Sequence, residues 1–366
     1  MTIPPGPAPE STPLRVMVVD DSAIVRGLIV RMLKADPRIE VTASCSNGQM
    51  AVTHAARHPL DVIILDIEMP IMDGLAALPR LLEAAPKVSI IMASTLTQRN
   101  ASISLRALSL GATDYVAKPT SDKLGASETF RRELIEKVVT LGRRASKTAH
   151  GDGANAPRPA PLAQIQLRSA TARRPRIIAI GSSTGGPQAL LTMLTALPPS
   201  IQCPIVIAQH MPATFTTVLA QHIGRATGRP CSEAAHGSEI KPGAISIAPG
   251  DYHLQVAREG ERCIAQLSRT APENFCRPSV DPLFRSVALH YGAESCAIVL
   301  TGMGSDGCAG ARVMSAIGAP ILAQDEASSV VWGMPGAVAN AGICSAILPL
   351  TKIAGHLTTL FERTAA

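Results

Sequence analysis

The feature that most constrains the fold is a repeated alternation of short apolar runs with longer amphipathic stretches. In the first half of the chain the apolar runs cover residues 14–19, 39–44, 60–65, 88–93 and 113–118. Amphipathic stretches separate them, such as the one from Ser22 to Lys34. Strands that alternate with helices form right-handed βαβ units, which build a parallel sheet covered by helices on both faces. The first half is therefore predicted to be a flavodoxin-like (βα)5 domain of the α/β class.

A basic segment rich in Ala, Pro and Gly divides the chain. Between Arg143 and Arg176 there are eight Lys and Arg residues and one acid, Asp152, so this segment has a charge of +7. The whole chain carries +6, which leaves −1 for the rest. A basic excess confined to such a segment is typical of a solvated linker, although contact with an acidic partner or a membrane surface is an alternative. We predict a flexible linker over residues 143–175, and nucleic acid is not expected as a partner.

These boundaries predict a disordered tail over residues 1–13, a first domain over 14–142 and a second domain over 176–362. The tail has no basic region followed by an apolar stretch, so it does not resemble a secretory signal. No apolar run reaches the roughly 18 residues that a membrane span needs. The eight cysteines show neither CxxC pairs nor zinc-ligand spacing with histidine. We therefore expect a cytoplasmic protein without membrane insertion.

Polar side chains follow the predicted strands of the first domain where each strand ends. They are Asp20, Asp21, Asp66, Ser94 and Lys118. Open α/β sheets bind ligands along this edge. Three carboxylates placed together repel one another, which predicts a hard cation such as Mg²⁺ with oxygen ligands. A cation beside Asp66, with Lys118 opposite, is what a carboxylate needs to accept a phosphoryl group.

The segments VVDDS, LDIEMPIMDG, MAST and YVAKP make residues 14 to about 142 resemble the response-regulator receiver family. The resemblance implies that Asp66 is phosphorylated, with a histidine kinase as the phosphodonor. It also implies that Asp20 and Asp21 hold Mg²⁺ together with Asp66. Ser94 would be the switch hydroxyl, and Lys118 would contact the phosphoryl group.

The second domain again alternates strands with helices, which predicts a doubly wound parallel sheet. Its main apolar runs cover residues 176–180, 203–208, 295–300 and 320–323. The first three runs lead to Ser183, His210 and Asp306 respectively. Because the carboxyl ends of parallel strands share one edge of the sheet, these three residues are predicted to form a nucleophilic set.

Each member of this set has a chemical role to fill. Ser183 is the middle residue of a G-x-S-x-G turn, which exposes a serine hydroxyl between a strand and a helix. Serine needs a base to take its proton, for which His210 is the candidate, and Asp306 can orient the imidazole. A dinucleotide fingerprint is the rival interpretation of GSSTGG, but it requires glycine where Ser183 stands and an acid after the second strand, where the chain has Gln209.

The segments IAIGSSTGG, QHMP, IAPGDYHL, RPSVDPLFRSVA, TGMGSDG and AQDEASSVVWGMPGAV make residues 176 to about 360 resemble chemotaxis-type protein-glutamate methylesterases, which are also protein-glutamine deamidases. The resemblance implies a catalytic Ser183, His210 and Asp306, with the backbone N–H of Met303 helping to bind the oxyanion. It implies no cofactor in this domain. The substrates would be glutamate methyl esters and glutamines on the cytoplasmic helices of methyl-accepting chemoreceptors.

Two positions depart from the family pattern. The family usually has alanine where Ser182 stands, which places a second hydroxyl beside the nucleophile, and commonly has a basic residue where Gly336 stands. Reasoning from the residues alone leaves a receiver-controlled hydrolase of another ester or amide as an alternative. A catalytically dead module that only binds receptors is disfavoured by the intact serine, histidine and aspartate set.

Overall fold

The computed structural model describes residues 12–118, 126–149, 167–169 and 173–362. The chain forms two compact units, one around each of two parallel sheets. Most of the predicted tail (residues 1–11) and most of the predicted linker (residues 150–166 and 170–172) lie outside the described residues. Among the helices that the structure describes, none is long and apolar enough to cross a membrane.

Residues 14–149 alternate five strands with five helices. The elements are β1 (Leu14–Val19), α1 (Ala23–Lys34), β2 (Ile39–Cys45), α2 (Gly48–Ala55), β3 (Val62–Asp66), α3 (Gly74–Ala84), β4 (Ser89–Ser94), α4 (Gln98–Ser109), β5 (Asp114–Ala117) and α5 (Ala126–Ala149). The strands pair in parallel in the order β2-β1-β3-β4-β5. Strands β3 and β4 are buried along their whole length, as expected for central strands covered on both faces.

Residues 177–362 form the second α/β arrangement. The elements are β6 (Ile177–Ser182), α6 (Gly186–Thr195), β7 (Ile205–Gln209), α7 (Ala213–Thr227), β8 (Cys231–Glu233), β9 (Ile245–Ile247), β10 (His253–Glu259), β11 (Arg262–Ser268), α8 (Val280–Tyr291), β12 (Ser295–Val299), α9 (Cys308–Ala316), β13 (Ile321–Gln324), α10 (Met334–Asn340), β14 (Ala346–Leu348) and α11 (Leu350–Glu362). Seven strands form a parallel sheet in the order β14-β13-β12-β6-β7-β9-β8, and β10 and β11 form an antiparallel hairpin.

The strand order places the point where the chain changes direction at the centre of this sheet. From β6 the chain runs outward through β7 to β9 and β8, and it returns on the other side of β6 as β12, β13 and β14. Ligand sites of open α/β sheets lie at such a switch point, outside the carboxyl ends of the strands. The predicted fold class is confirmed for both halves of the chain.

Candidate active site

The acidic residues predicted in the first unit lie together at the carboxyl edge of its sheet. One oxygen from each of Asp20, Asp21 and Asp66 lies within 4.8 Å of the others. The Lys118 ammonium is 2.6 Å from Asp20 Oδ2 and 2.6 Å from Asp66 Oδ1. Ser94 ends the neighbouring strand and is buried. The four strand ends therefore bring all five predicted residues to one edge.

This cluster suits a small divalent cation. Oxygen atoms at opposite corners of a Mg²⁺ octahedron are roughly 4 Å apart, which matches the spread of the three carboxylates. Burial raises the pKa of Asp66, although Lys118 opposes that effect. A buried carboxylate among like charges needs positive charge nearby to stay ionised. The residues present therefore fit Mg²⁺.

In the second unit, the three predicted residues follow three neighbouring strands. Ser183 follows β6, His210 follows β7, and Asp306 lies in the turn between β12 and α9. The Ser183 N–H donates to the Thr301 carbonyl over 3.0 Å. The His210 N–H donates to the Ser182 carbonyl over 3.2 Å. These hydrogen bonds extend the strand pairing and join the turns that carry the candidate nucleophile and base.

His210 and Asp306 form a short ion pair. His210 Nε2 lies 2.7 Å from Asp306 Oδ2, and the exposed fractions of the two side chains are 12% and 2%. The low exposure matters because water screens such a pair only weakly when it is buried. The predicted orientation of the imidazole by the carboxylate is thus geometrically possible.

The Asp306 carboxylate is also held by groups that come from the start of α8 and from its own turn. Its donors are Asn274 Nδ2, Ser279 Oγ and the backbone N–H groups of Val280, Asp281 and Gly307, at distances of 2.7–3.1 Å. The N-terminus of a helix attracts negative charge because its N–H groups lack partners within the helix. Burial alone would raise the pKa of Asp306, but His210 and these donors outweigh it and hold the pKa well below its usual range.

The other ring nitrogen of His210 has a sulfur as its neighbour. Cys276 Sγ lies 3.3 Å from His210 Nδ1. Burial alone would lower the pKa of the imidazole, but Cys276 and Asp306 outweigh burial and raise it. Within the described ranges, the ring's hydrogen-bond partners are these two residues, and Ser183 is not among them. Catalytic hydrogen bonds often form only when the substrate is present, so this arrangement is compatible with a triad.

The two adjacent serines have different surroundings. The Ser182 side chain is fully buried, and its hydroxyl donates to Gln209 Oε1 over 2.6 Å. Gln209 in turn donates to the Ser183 carbonyl over 2.9 Å. Ser183 is only partly buried. The extra hydroxyl of Ser182 therefore stabilises the turn from beneath, and Ser183 is the serine that solvent can reach.

The glycine turn after β12 packs directly against Ser183. A Cβ atom on Gly302 would lie 2.9 Å from Ser183 Cβ and 2.3 Å from Met334 Sδ, so a larger residue does not fit without movement. The next residue is Met303, which is partly exposed. No hydrogen bond to another described residue involves the Met303 N–H. This donor is therefore available near the serine, as an oxyanion site requires.

The second family departure lies away from these groups. Gly336 is buried in α10, and a Cβ atom there would lie 3.0 Å from the Trp332 ring. A residue with a Cβ atom at this position therefore fits only if the ring shifts slightly.

Three residues that contact the site were not predicted from the sequence as site residues. Asn274, Cys276 and Ser279 all precede α8 and reach His210 or Asp306. A serine directly before an amphipathic stretch is a helix-start signal, which marks Ser279. Asn274 and Cys276 lie in an irregular loop, where neither periodicity nor spacing indicates a role.

Comparison with known proteins gives two matching family models and close relatives. The model described as CheB methylesterase matches residues 178–357, and the model described as response regulator receiver domain matches residues 16–127. The chain is 51% identical to a protein-glutamate methylesterase/protein-glutamine glutaminase 1 of Paramagnetospirillum magneticum, over 98% of this chain and 99% of that protein. It is 53% identical to the protein of the same description in Rhodospirillum rubrum, over 98% of each chain. It is also similar to the crystal structure of the Thermotoga maritima CheB methylesterase catalytic domain, with 36% identity and a TM-score of 0.49, over 53% of this chain and 100% of that chain.

Proposed function

This chain belongs to the CheB methylesterase family, and on that premise we propose that its second unit is a serine hydrolase that demethylates glutamate methyl esters and deamidates glutamines on proteins. The relatives carry both activities in their names. The observation that carries the proposal is the buried His210–Asp306 pair, with 2.7 Å between Nε2 and Oδ2, beside the turn that bears Ser183. A dehydrogenase would need neither this pair nor a serine at that turn.

The proposed reaction begins with the Ser183 hydroxyl. Asp306 occupies Nε2 of His210, so Nδ1 is the ring nitrogen that takes the serine proton. Serine Oγ attacks the ester carbonyl carbon, and the Met303 N–H stabilises the oxyanion that forms. The bond to the methoxy oxygen then breaks, and His210 returns its proton to that oxygen, which releases methanol.

A second half-reaction restores the enzyme. His210 takes a proton from water, and the resulting hydroxide attacks the acyl-serine carbonyl. The ester bond to Oγ then breaks, and His210 returns its proton to Oγ, which gives glutamate and free serine. With a glutamine side chain the same steps release ammonia instead of methanol. In each case the product is a glutamate on the substrate protein.

We further propose that the substrates are the cytoplasmic helices of methyl-accepting chemoreceptors, so that the enzyme serves chemosensory adaptation. In this proposal, phosphorylation of the first unit controls the rate of the hydrolase reaction in the second. Asp66 is the phosphoacceptor, a histidine kinase is the phosphodonor, and Ser94 and Lys118 contact the phosphoryl group. Lys118, at 2.6 Å from Asp66 Oδ1, supports this assignment because phosphoryl transfer depends on charge neutralisation.

Asp20, Asp21 and Asp66 are the proposed Mg²⁺ ligands. When bound, Mg²⁺ supplies positive charge for the phosphoryl oxygens. The Lys118 ammonium contacts two of these carboxylates, Asp20 and Asp66, and so holds them in place for the cation.

The test is to incubate the full-length protein with receptor carrying labelled glutamate methyl esters and to measure released methanol. Receptor with glutamine at the same sites serves for ammonia release, and Ser183→Ala is the inactive control. We expect both products from the natural chain. Cleavage of a generic ester without methanol release from receptor would favour a hydrolase with another substrate.

A further inference from the structure

The two ring nitrogens of His210 have different partners, and only one of them was expected. Nε2 lies 2.7 Å from Asp306 Oδ2, whereas Nδ1 lies 3.3 Å from Cys276 Sγ. Sulfur hydrogen bonds are longer than those of oxygen because the sulfur atom is larger. The thiol therefore occupies the position at Nδ1 that the serine hydroxyl needs during proton transfer.

The chemistry of Asp306 decides which atom donates in this pair. A carboxylate with a low pKa can only accept hydrogen bonds, so Nε2 carries a proton and donates it to Asp306. In the neutral ring Nδ1 then has a lone pair, and the Cys276 S–H must be the donor. When the ring is protonated, Nδ1–H donates to sulfur instead.

The loop that carries Cys276 is fixed to the same carboxylate that holds the opposite side of the ring. Asn274 Nδ2 donates to both Asp306 Oδ1 and Asp281 Oδ2 over 2.9 Å. Asn274 and Phe275 have φ angles of 52° and 62°, in the left-handed region that phenylalanine rarely adopts. Such a conformation persists only where surrounding contacts hold it. The position of the thiol beside Nδ1 is therefore set by the loop's own contacts.

The other groups around the ring do not compete for this role. In the described part of the chain, Asp306 reaches the ring from the turn before α9, and Cys276 reaches it from the loop before α8. Asp281, at the start of α8, acts on Asp306: the two share the Asn274 amide, and the Asp306 charge is one of the causes that raise the pKa of Asp281. No lysine or arginine in these ranges hydrogen-bonds to the ring.

From this geometry we propose that Cys276 is a positioning residue for the hydrolase reaction. In the resting enzyme its thiol holds Nδ1 of His210 in place. When substrate binds, the thiol gives up this contact and Nδ1 accepts from the Ser183 hydroxyl instead. The proposal rests on the proposed function, since it takes Ser183 and His210 as nucleophile and base. With Asp306 alone, the ring would be held at one nitrogen only and could rotate about that contact. The thiol supplies the second point of attachment.

The kinetic test compares the natural full-length chain with Cys276→Ala, Cys276→Ser and the control Cys231→Ala, whose cysteine is in the edge strand β8. We expect Cys276→Ala to lower kcat for methanol release by roughly 3- to 30-fold with KM changed less than about twofold, because the ring loses orientation but the substrate groove is intact. Cys276→Ser should stay within about threefold of the natural rate, since a hydroxyl can also donate to Nδ1.

The pH profile supplies a readout that a merely structural cysteine would not change. Cys276 is one of the groups that raise the pKa of His210, and neither alanine nor serine replaces its thiol. Both variants should therefore lower the pKa of His210 and move the acidic limb of kcat/KM to lower pH. Nitrogen-15 NMR of the His210 ring in the full chain measures the same change without any turnover. Cys231→Ala should match the natural protein in both measurements.

The proposal is overturned if Cys276→Ala has the natural kcat, acidic limb and ring NMR shifts. If Cys276→Ala does not fold, as judged by thermal unfolding, Cys276→Ser provides the test. An acidic limb of kcat/KM at the natural pH in Cys276→Ser would then overturn the proposal. Residual activity in Ser183→Ala that Cys276→Ala removes would mean that the thiol is itself a nucleophile, which also overturns it. Absence of methanol release from the natural chain would instead count against the proposed function, while the NMR comparison would still test the contact.

Discussion

Asp306 accepts hydrogen bonds from two side chains and three backbone N–H groups besides its contact with His210. Each bond to an ionised acceptor stabilises the charge, which compensates for burying a carboxylate whose side chain is 2% exposed. These donors act together with His210 against burial to keep the carboxylate charged, so this charge is present to stabilise an imidazolium when one forms. A group fixed in this way does not need to reorganise during the reaction.

The two neighbouring serines give the sharpest test at the residue scale. Ser183→Ala should lower turnover by roughly 10⁴-fold or more, because the nucleophile is lost. Ser182→Ala should keep most of the activity but reduce the free energy of unfolding by about 1–3 kcal/mol, since it leaves the buried Gln209 Oε1 without its donor. Methanol release and chemical denaturation of both variants measure these effects. An inactive, stable Ser182→Ala would reverse the assignment.

The sequence predicted which residues of the catalytic set would come together but not what holds them. Ser183, His210 and Asp306 were predictable because each follows an apolar run, and parallel strands end at one edge. Asn274 and Cys276 come from an irregular loop about 30 residues before Asp306, and nothing in the sequence relates that loop to the turn. The catalytic roles of all these residues remain predictions for experiment.

The turn after β12 packs closely against Ser183 because Gly302 has no side chain. Gly302 lies against Ser183, and its carbonyl accepts from the N–H groups of Gly333 and Met334. Met303 is the next residue along the chain, so this close approach also fixes where its N–H begins. The parallel strands place both turns at one edge of the sheet, and Gly302 sets the distance between the turn after β6 and the turn after β12.

Gly302→Ala adds only one methyl group, but we expect it to lower turnover strongly. The added methyl group would lie 2.9 Å from Ser183 Cβ and 3.1 Å from Ser183 N, so the turn must shift away from the serine. We expect turnover to fall by about 10²-fold or more, as a displacement near 1 Å can cause. Gly355→Ala is the matched control, because an added Cβ in this exposed position of α11 meets nothing within 4 Å and should stabilise by about 0.5–1 kcal/mol. Equal activity of the two variants would contradict the close-packing argument.

Strands and helices differ in how well their bounds were predicted. The predicted strands end within two residues of those observed, because buried parallel strands are continuous apolar runs. The short strands β8 and β9 have only three residues each and were not predicted, since so short a run has no measurable period. Helix α5 continues to Ala149, into the predicted linker, and the residues it adds include Arg, Lys and Ala, which favour helix.

At the scale of the whole molecule, the proposed function joins a phosphoacceptor site in one unit to a hydrolase site in the other. A phosphoryl group adds about −1.5 to −2 charges beside Lys118 and Ser94. A tenfold change in activity needs only about 1.4 kcal/mol of bias between two states of the protein. Phosphorylation of the first unit can therefore change the activity of the second with a small free-energy difference. This change in activity should depend on Asp66.

We propose that this chain is a receptor glutamate methylesterase whose rate is set by phosphorylation of Asp66. The most direct test is methanol release from methylated receptor by the full-length chain, with and without a small phosphodonor and Mg²⁺. We predict that the phosphodonor raises the rate roughly tenfold in the natural chain and in the control Glu40→Ala, whose exposed carboxylate is on the edge strand β2. Asp66→Ala should stay at the basal rate under both conditions. An equal increase in Asp66→Ala, or no methanol from any of the three proteins, would contradict the claim.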